Sequence, residues 1–148
     1  MSNAPVLPRV VRNVVEEHRT LRALLAEVEQ AFARAAPHAA SGPDVVAARL
    51  DTLRGPLRAH FEEEERARLF EEIEELAPDQ APACSRLRGE HEGLIRRLDA
   101  LRASSPESRR RPTWTHDVRA FLDDLSGHEE RETDLLTRTL DGSIGALD

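Results

Sequence analysis

A chain of 148 residues is long enough for one shared core and short for two, which predicts a single domain over residues 1–148. Charged residues make up 33% against 39% hydrophobic, aromatics only 3% and Tyr is absent, a composition that favours amphipathic helices over sheet. The formal charge of -7 is spread along the chain and every cation is Arg, so no basic stripe is present to neutralise phosphates and nucleic acid is excluded as an expected partner.

Pro8 suits the first turn of a helix running to about Ala36, where Pro37, Ser41, Gly42 and Pro43 make a break. A second helix is expected from about Asp44 to Leu76, kinked or split at Gly55-Pro56, one turn before His60. The third follows Asp79 and extends to about Ala103. After the polar stretch Ser104 to Pro112, Thr113 is the expected N-cap of a fourth helix ending near Asp141-Gly142, with a frayed tail beyond. Four helices joined by short connections predict an all-α fold, an antiparallel up-down-up-down four-helix bundle.

The core-facing stripe of each helix follows from the alternating spacing of three and four. It runs Val11, Val14, His18, Leu21, Leu25, Val28, Phe32 in the first helix and Val46, Leu50, Leu53, Leu57, His60, Glu64, Ala67 in the second. The third gives Cys84, Leu87, His91, Leu94, Leu98, Leu101, and the fourth Trp114, Val118, Phe121, Leu125, His128, Glu132, Leu135. Only His18, His60, Glu64, His91, His128 and Glu132 interrupt these apolar stripes with chemistry. A carboxylate buried without a partner costs several kcal/mol or takes up a proton, and a buried imidazole needs partners for its nitrogens. A shared cation satisfies all six. Counted along the helices, with roughly 1.5 Å of rise per residue, the six reach one level near the middle of the bundle.

The two halves of the chain also repeat one another. A lone His18 is followed by His60-Phe61-Glu62-Glu63-Glu64, and a lone His91 by His128-Glu129-Glu130-Arg131-Glu132. Residues i and i+4 share a helix face, so each His-x-x-x-Glu can offer a nitrogen and a carboxylate to one metal. Two such halves point to a nearly two-fold site with two metals and two bridging glutamates. Imidazole and carboxylate donors without thiolate suit iron or manganese, and zinc can occupy the same set. Glu62, Glu63, Glu65, Glu129 and Glu130 read as solvent-facing or outer residues and Cys84 as core packing.

At these residues the sequence resembles the hemerythrin-like, or HHE cation-binding, family. The resemblance rests on Glu16-Glu17-His18-Arg19-Thr20-Leu21, His60-Phe61-Glu62-Glu63-Glu64-Glu65, Glu90-His91-Glu92-Gly93-Leu94 and the motif from His128 to Glu132, and covers nearly the whole chain. It implies two iron ions held by the six residues, with the carboxylates bridging, and a small oxidant (dioxygen, nitric oxide or peroxide) as the ligand. Oxygen-carrying members have a second histidine one turn after the third-helix histidine, where this chain has Ile95. His38 falls in a loop and His116 on another face, so neither replaces it. The resemblance therefore implies a symmetric, coordinatively open site, in company with members associated with nitric oxide and peroxide stress. The alternatives are a sensing or storage module without turnover and a metal-free interaction bundle.

Two rival metal signatures fail. Glu-x-x-His of ferritin-like proteins needs a glutamate three before a histidine, and those positions hold Val15, Ala35, Leu57, Arg88, Thr113 and Leu125. His-Glu-x-x-His fails because the fifth residue is Ile95 after His91 and Glu132 after His128. No segment approaches the roughly 18 apolar residues of a membrane span, and Met1 to Pro8 lacks a signal-peptide pattern. With one Cys and no internal disulfide, the expected location is cytoplasmic.

Overall fold

The computed structural model describes residues 6–34 and 42–145, with side chains over 12–34 and 42–142. Among the described residues every regular element is helical: α1 Val6–Arg34, α2 Gly42–Arg66, α3 Leu69–Leu76, α4 Ala81–Arg102, α5 Pro106–Arg109 and α6 Pro112–Gly145, with a 3-10 turn at Pro78–Gln80. None of these helices is long and apolar enough to cross a membrane. The long helices make a closed set of neighbours, α1 on α2, α2 on α4, α4 on α6 and α6 on α1.

The described stripe residues lie inside, as a spacing of three and four requires of helices that bury one face. All are buried except Phe32 and Ala67, which are half-buried; the side chain of Val11 and the whole of His38 lie outside the described residues. The core is divided in two. One apolar cluster gathers Leu21, Leu25, Leu50, Leu57, Leu98 and Phe121 among others, and a smaller one gathers Val14, Leu69, Phe70, Ile73, Leu87 and Leu135. α1, α4 and α6 pass from one cluster to the other at their polar stripe residues, whereas α2 ends just after its own and α3 continues into the smaller cluster. On α1 and α4 the smaller cluster comes first in the chain, and on α6 the larger one does.

Three boundaries differ from the sequence-based expectation. α2 runs without a break through Pro56. Pro56 and Thr52, whose carbonyl the proline leaves without its helical donor, are both exposed, so water can serve that carbonyl and the helix need not open. The break falls instead at Ala67-Arg68, where Arg68 takes a left-handed backbone with φ 55° and starts α3. This corner turns Leu69, Phe70 and Ile73 into the smaller cluster, which a straight extension of α2 would not do. The fourth helix also continues past Gly142 to Gly145.

The connection between α4 and α6 contains α5, capped by Ser105, whose hydroxyl accepts from the Ser108 backbone N–H at 3.1 Å. Trp114 Nε1 donates to the Leu101 carbonyl at 3.2 Å and ties the start of α6 to the end of α4. Arg54 with Asp99, Arg97 with Asp124 and Arg119 with Glu29 link neighbouring helices at the surface. Such exposed pairs contribute about 0–1 kcal/mol each, against about 1.5–3 kcal/mol for each large apolar side chain buried, so the stripes decide the packing.

Arg68 is exposed and its side chain makes no cap hydrogen bond, so only its Cβ resists the left-handed corner. Arg68→Gly is expected to raise stability by about 1 kcal/mol, read as a rise of about 2–4 °C in the thermal midpoint; a fall would show that the arginine side chain stabilises the corner.

Candidate metal centre

The six stripe residues that break the apolar pattern meet between the two clusters. His18 comes from α1, His60 and Glu64 from α2, His91 from α4, and His128 and Glu132 from α6; all are buried, Glu64, His128 and Glu132 completely. Their donor atoms form two groups that could each hold a metal ion: His18, His60, Glu64 and Glu132 in one, and His91, His128 and Glu132 in the other. The two carboxylates face both groups. Glu64 directs Oε1 at His60 Nε2 and Oε2 toward His91 Nε2 at 3.7 Å. Glu132 directs Oε1 at His18 Nε2 at 3.0 Å and Oε2 at His128 Nε2 at 3.3 Å.

Outer residues orient the imidazoles. His60 Nδ1 donates to Glu17 Oε2 at 2.7 Å and His128 Nδ1 to Glu90 Oε1 at 2.8 Å, since an ionised carboxylate can only accept. That tautomer leaves each Nε2 lone pair pointing inward. Arg131 holds Glu90 in turn, Nη1 to Oε2 at 2.8 Å, and with His128 it keeps the Glu90 carboxyl below the ordinary carboxylate range against the opposing effect of burial. His18 Nδ1 meets Thr133 Oγ1 at 3.2 Å, and His91 Nδ1 lies 3.5 Å from Glu65 Oε1. Phe61 stacks flat on His91, ring centroids 4.0 Å apart.

Charge in this layer is balanced unevenly when only protons are present. Burial alone would lower the His18 pKa, but the facing Glu129 and Glu132 carboxylates push it up to about 9. His91 has no such partner, and burial followed by the charge of His128 pushes it down to about 4. Burial would also lower His128, yet Glu132 and Glu90 raise it. Burial and then the facing Glu132 carboxylate raise Glu64 well above the carboxylate range, whereas His128 and His18 overcome the burial of Glu132 and hold it well below.

Even so, polar atoms are left over. His60 Nε2, both Glu64 oxygens, both His91 nitrogens, His128 Nε2 and Glu132 Oε2 are buried and have no hydrogen-bond partner. Buried polar atoms are normally satisfied at a rate of roughly 90% or more, so such a concentration in one layer needs a cause. Nitrogen and oxygen donors aimed inward from opposite sides fit divalent cations, and a cation removes the deficit.

Every sequence-predicted site residue is therefore brought to one layer. Glu62 and Glu130 are exposed as expected, and Glu65 is exposed with its carboxylate against His91. Of the two places expected for Glu129, solvent or an outer position beside the ligands, the structure rules out solvent. It is buried, 4% exposed, with Oε2 at 2.7 Å from His18 Nε2 and 3.8 Å from His60 Nε2. The signal was a wider stripe: on α6, Leu122, Glu129 and Leu136 flank the narrow seam at intervals of seven and are all buried. Cys84 is core, its thiol pushed up to about 11 by burial, and His116 is exposed on α6.

A cleft of about 320 Å³ opens beside the layer, lined among others by Phe61, Glu65, His91 and Ile95. It reaches the layer from the His91 side, where Ile95 stands; Pro56 is not among its lining residues.

For metal-free protein the shifts give a stability profile. His18 contributes stability that is complete below its unfolded pKa of 6.5 and is lost as pH rises toward 9, on the order of 3 kcal/mol. His91 contributes stability complete above 6.5 and lost as pH falls toward 4. Depressed Glu132 contributes above its unfolded 4.5 and raised Glu64 below 4.5. Chelator-treated protein is expected to be most stable between about pH 4.5 and 6.5 and to lose stability on both sides, measured by urea unfolding across pH; a profile still rising at pH 8–9 would contradict it.

A family model of the hemerythrin HHE cation binding domain matches residues 9–140. No curated protein and no solved structure matches the chain.

Proposed function

We infer that this chain, which belongs to the hemerythrin HHE cation binding domain family, holds a pair of metal ions between its long helices. In this reading residues 1–148 form one domain, an antiparallel up-down-up-down four-helix bundle. Its ligands are His18, His60, Glu64, His91, His128 and Glu132, with Glu64 and Glu132 shared between the ions. Iron is the proposed metal, and manganese or zinc can use the same donors. The observation that carries the reading is the layer of buried, inward-facing nitrogens and oxygens without hydrogen-bond partners.

When bound, iron supplies open coordination positions and one-electron redox chemistry to a small oxidant, dioxygen, nitric oxide or peroxide. The chain's residues prepare the position and exclude water. Glu17 and Glu90 hold His60 and His128 with their Nε2 lone pairs free. His18 and Glu64, which carry protons in the metal-free state, release them as cations bind, so loading is favoured by rising pH. Phe61 and Phe70 wall His91 with apolar surface. Ile95 lines the cleft where oxygen carriers have a further histidine, which favours an open position on that side. That favours reaction with an oxidant, or its sensing, over reversible oxygen carriage. Steady-state consumption of peroxide or nitric oxide separates turnover from sensing or storage without turnover.

Elemental analysis is expected to find two irons per chain in the wild type and a substoichiometric amount in Glu64→Ala. Metal at a hundred times its dissociation constant should stabilise the wild type by about 2.7 kcal/mol and the variant by far less. Wild-type protein that folds with no stoichiometric metal would leave a metal-free interaction bundle.

A further inference from the structure

We propose that Glu129 is a seventh metal ligand, bound to the ion on the His18 side, and that it makes the two metal positions unlike. The proposal rests on the two-metal reading above, but its observations are its own.

The two halves of the chain place equivalent residues in equivalent roles around the layer. Glu17 beside His18 holds His60, and Glu90 beside His91 holds His128. Residue 133, one after Glu132, faces His18, and residue 65, one after Glu64, faces His91. By the same rule Phe61, one after His60, corresponds to Glu129, one after His128. Phe61 covers His91 with a ring, and Glu129 puts a carboxylate against His18. An aromatic fills the place in one half, so packing alone does not require an acid in the other.

The acid at this place also lacks hydrogen-bond partners. Glu129 is more than nine-tenths buried and neither of its oxygens has a hydrogen-bond partner. The nearest polar group to it is the His18 imidazole, whose Nε2 lies 2.7 Å from Oε2. His18 can pair with Glu129 only while it keeps the Nε2 proton. Once His18 gives that lone pair to a metal, Glu129 is an uncompensated buried charge unless it reaches the same ion, and its position against both His18 and His60 Nε2 allows this.

With Glu129 the ion on that side has donors from His18, His60, Glu64, Glu132 and Glu129, and the other from His91, His128, Glu64 and Glu132. An additional hard, anionic oxygen favours the higher oxidation state at the first ion. It also leaves the wider opening at the second, which is the side the cleft reaches through His91 and Ile95. Exogenous ligands therefore bind at the His91–His128 ion.

The test uses full-length protein loaded with iron-57, as wild type, as Glu129→Gln and as Glu129→Leu. Mössbauer spectra of the wild type are expected to show two unlike iron sites of equal area. In both variants that difference should shrink or one site should empty, with one iron bound at least tenfold more weakly in a chelator competition. The metal-free thermal midpoint is expected to fall somewhat in Glu129→Leu, because His18 loses a carboxylate 2.7 Å from its Nε2, so the iron spectra and affinities, not the midpoint, decide the role of Glu129. Wild type with two irons and variants with unchanged spectra and affinities would overturn the role of Glu129 and leave the two-metal reading standing. A lower metal-free midpoint with unchanged iron affinity would also overturn it, making Glu129 an ion-pair partner of His18 only. Wild type without stoichiometric iron would remove both.

Discussion

The structure depends on one constraint: a layer of ionisable side chains lies across the middle of an otherwise apolar interior. Apolar side chains flank it, Leu57, Leu94 and Leu125 among the larger cluster and Leu69, Leu87 and Leu135 among the smaller, so little solvent is at hand to satisfy it. Burying such groups without partners costs more than any single apolar contact returns. Protons alone settle the charge badly, giving a high His18, a low His91, a protonated Glu64 and an ionised Glu132 within one small volume. Cations resolve all four at once, which is why the metal-binding reading follows from the interior's electrostatics as well as from the family to which the chain belongs.

The layer is organised by near-repetition of two half-chains. Each half contributes an imidazole from its first helix and an imidazole and a carboxylate one turn apart from its second, and each braces its second imidazole with the glutamate that precedes its lone histidine. The symmetry stops at the next layer outward. Phe61 answers Glu129, and Glu65 answers Thr133, so one side of the layer is aromatic and reached by a cleft while the other is acidic. The two groups of donors therefore sit in unmatched surroundings.

The four stripes, the polar interruption on each and the repeat were legible in the order of residues, because a helix face is a matter of spacing and each buried charge breaks an apolar pattern visibly. Local chemistry sufficed for the connection after Arg102 as well, where Ser, Pro and Arg allow no long helix. What spacing could not decide was how neighbouring helices cover one another. Pro56 reads as a break in any isolated helix, yet α2 carries it on an exposed face, while the true corner is at Arg68, a residue with no turn preference. The corner exists because Leu69, Phe70 and Ile73 have a cluster to join. Glu129 reads as one more solvated acid in Glu129-Glu130 until α1 is laid against α6 and His18 comes within 2.7 Å of it. The sequence by itself determined that six polar side chains lie on buried stripes and pointed to a shared cation; the tertiary structure decided how their donor atoms divide into two groups, where a cleft meets the layer and that a further carboxylate is enclosed, because these depend on contacts between helices distant in the chain.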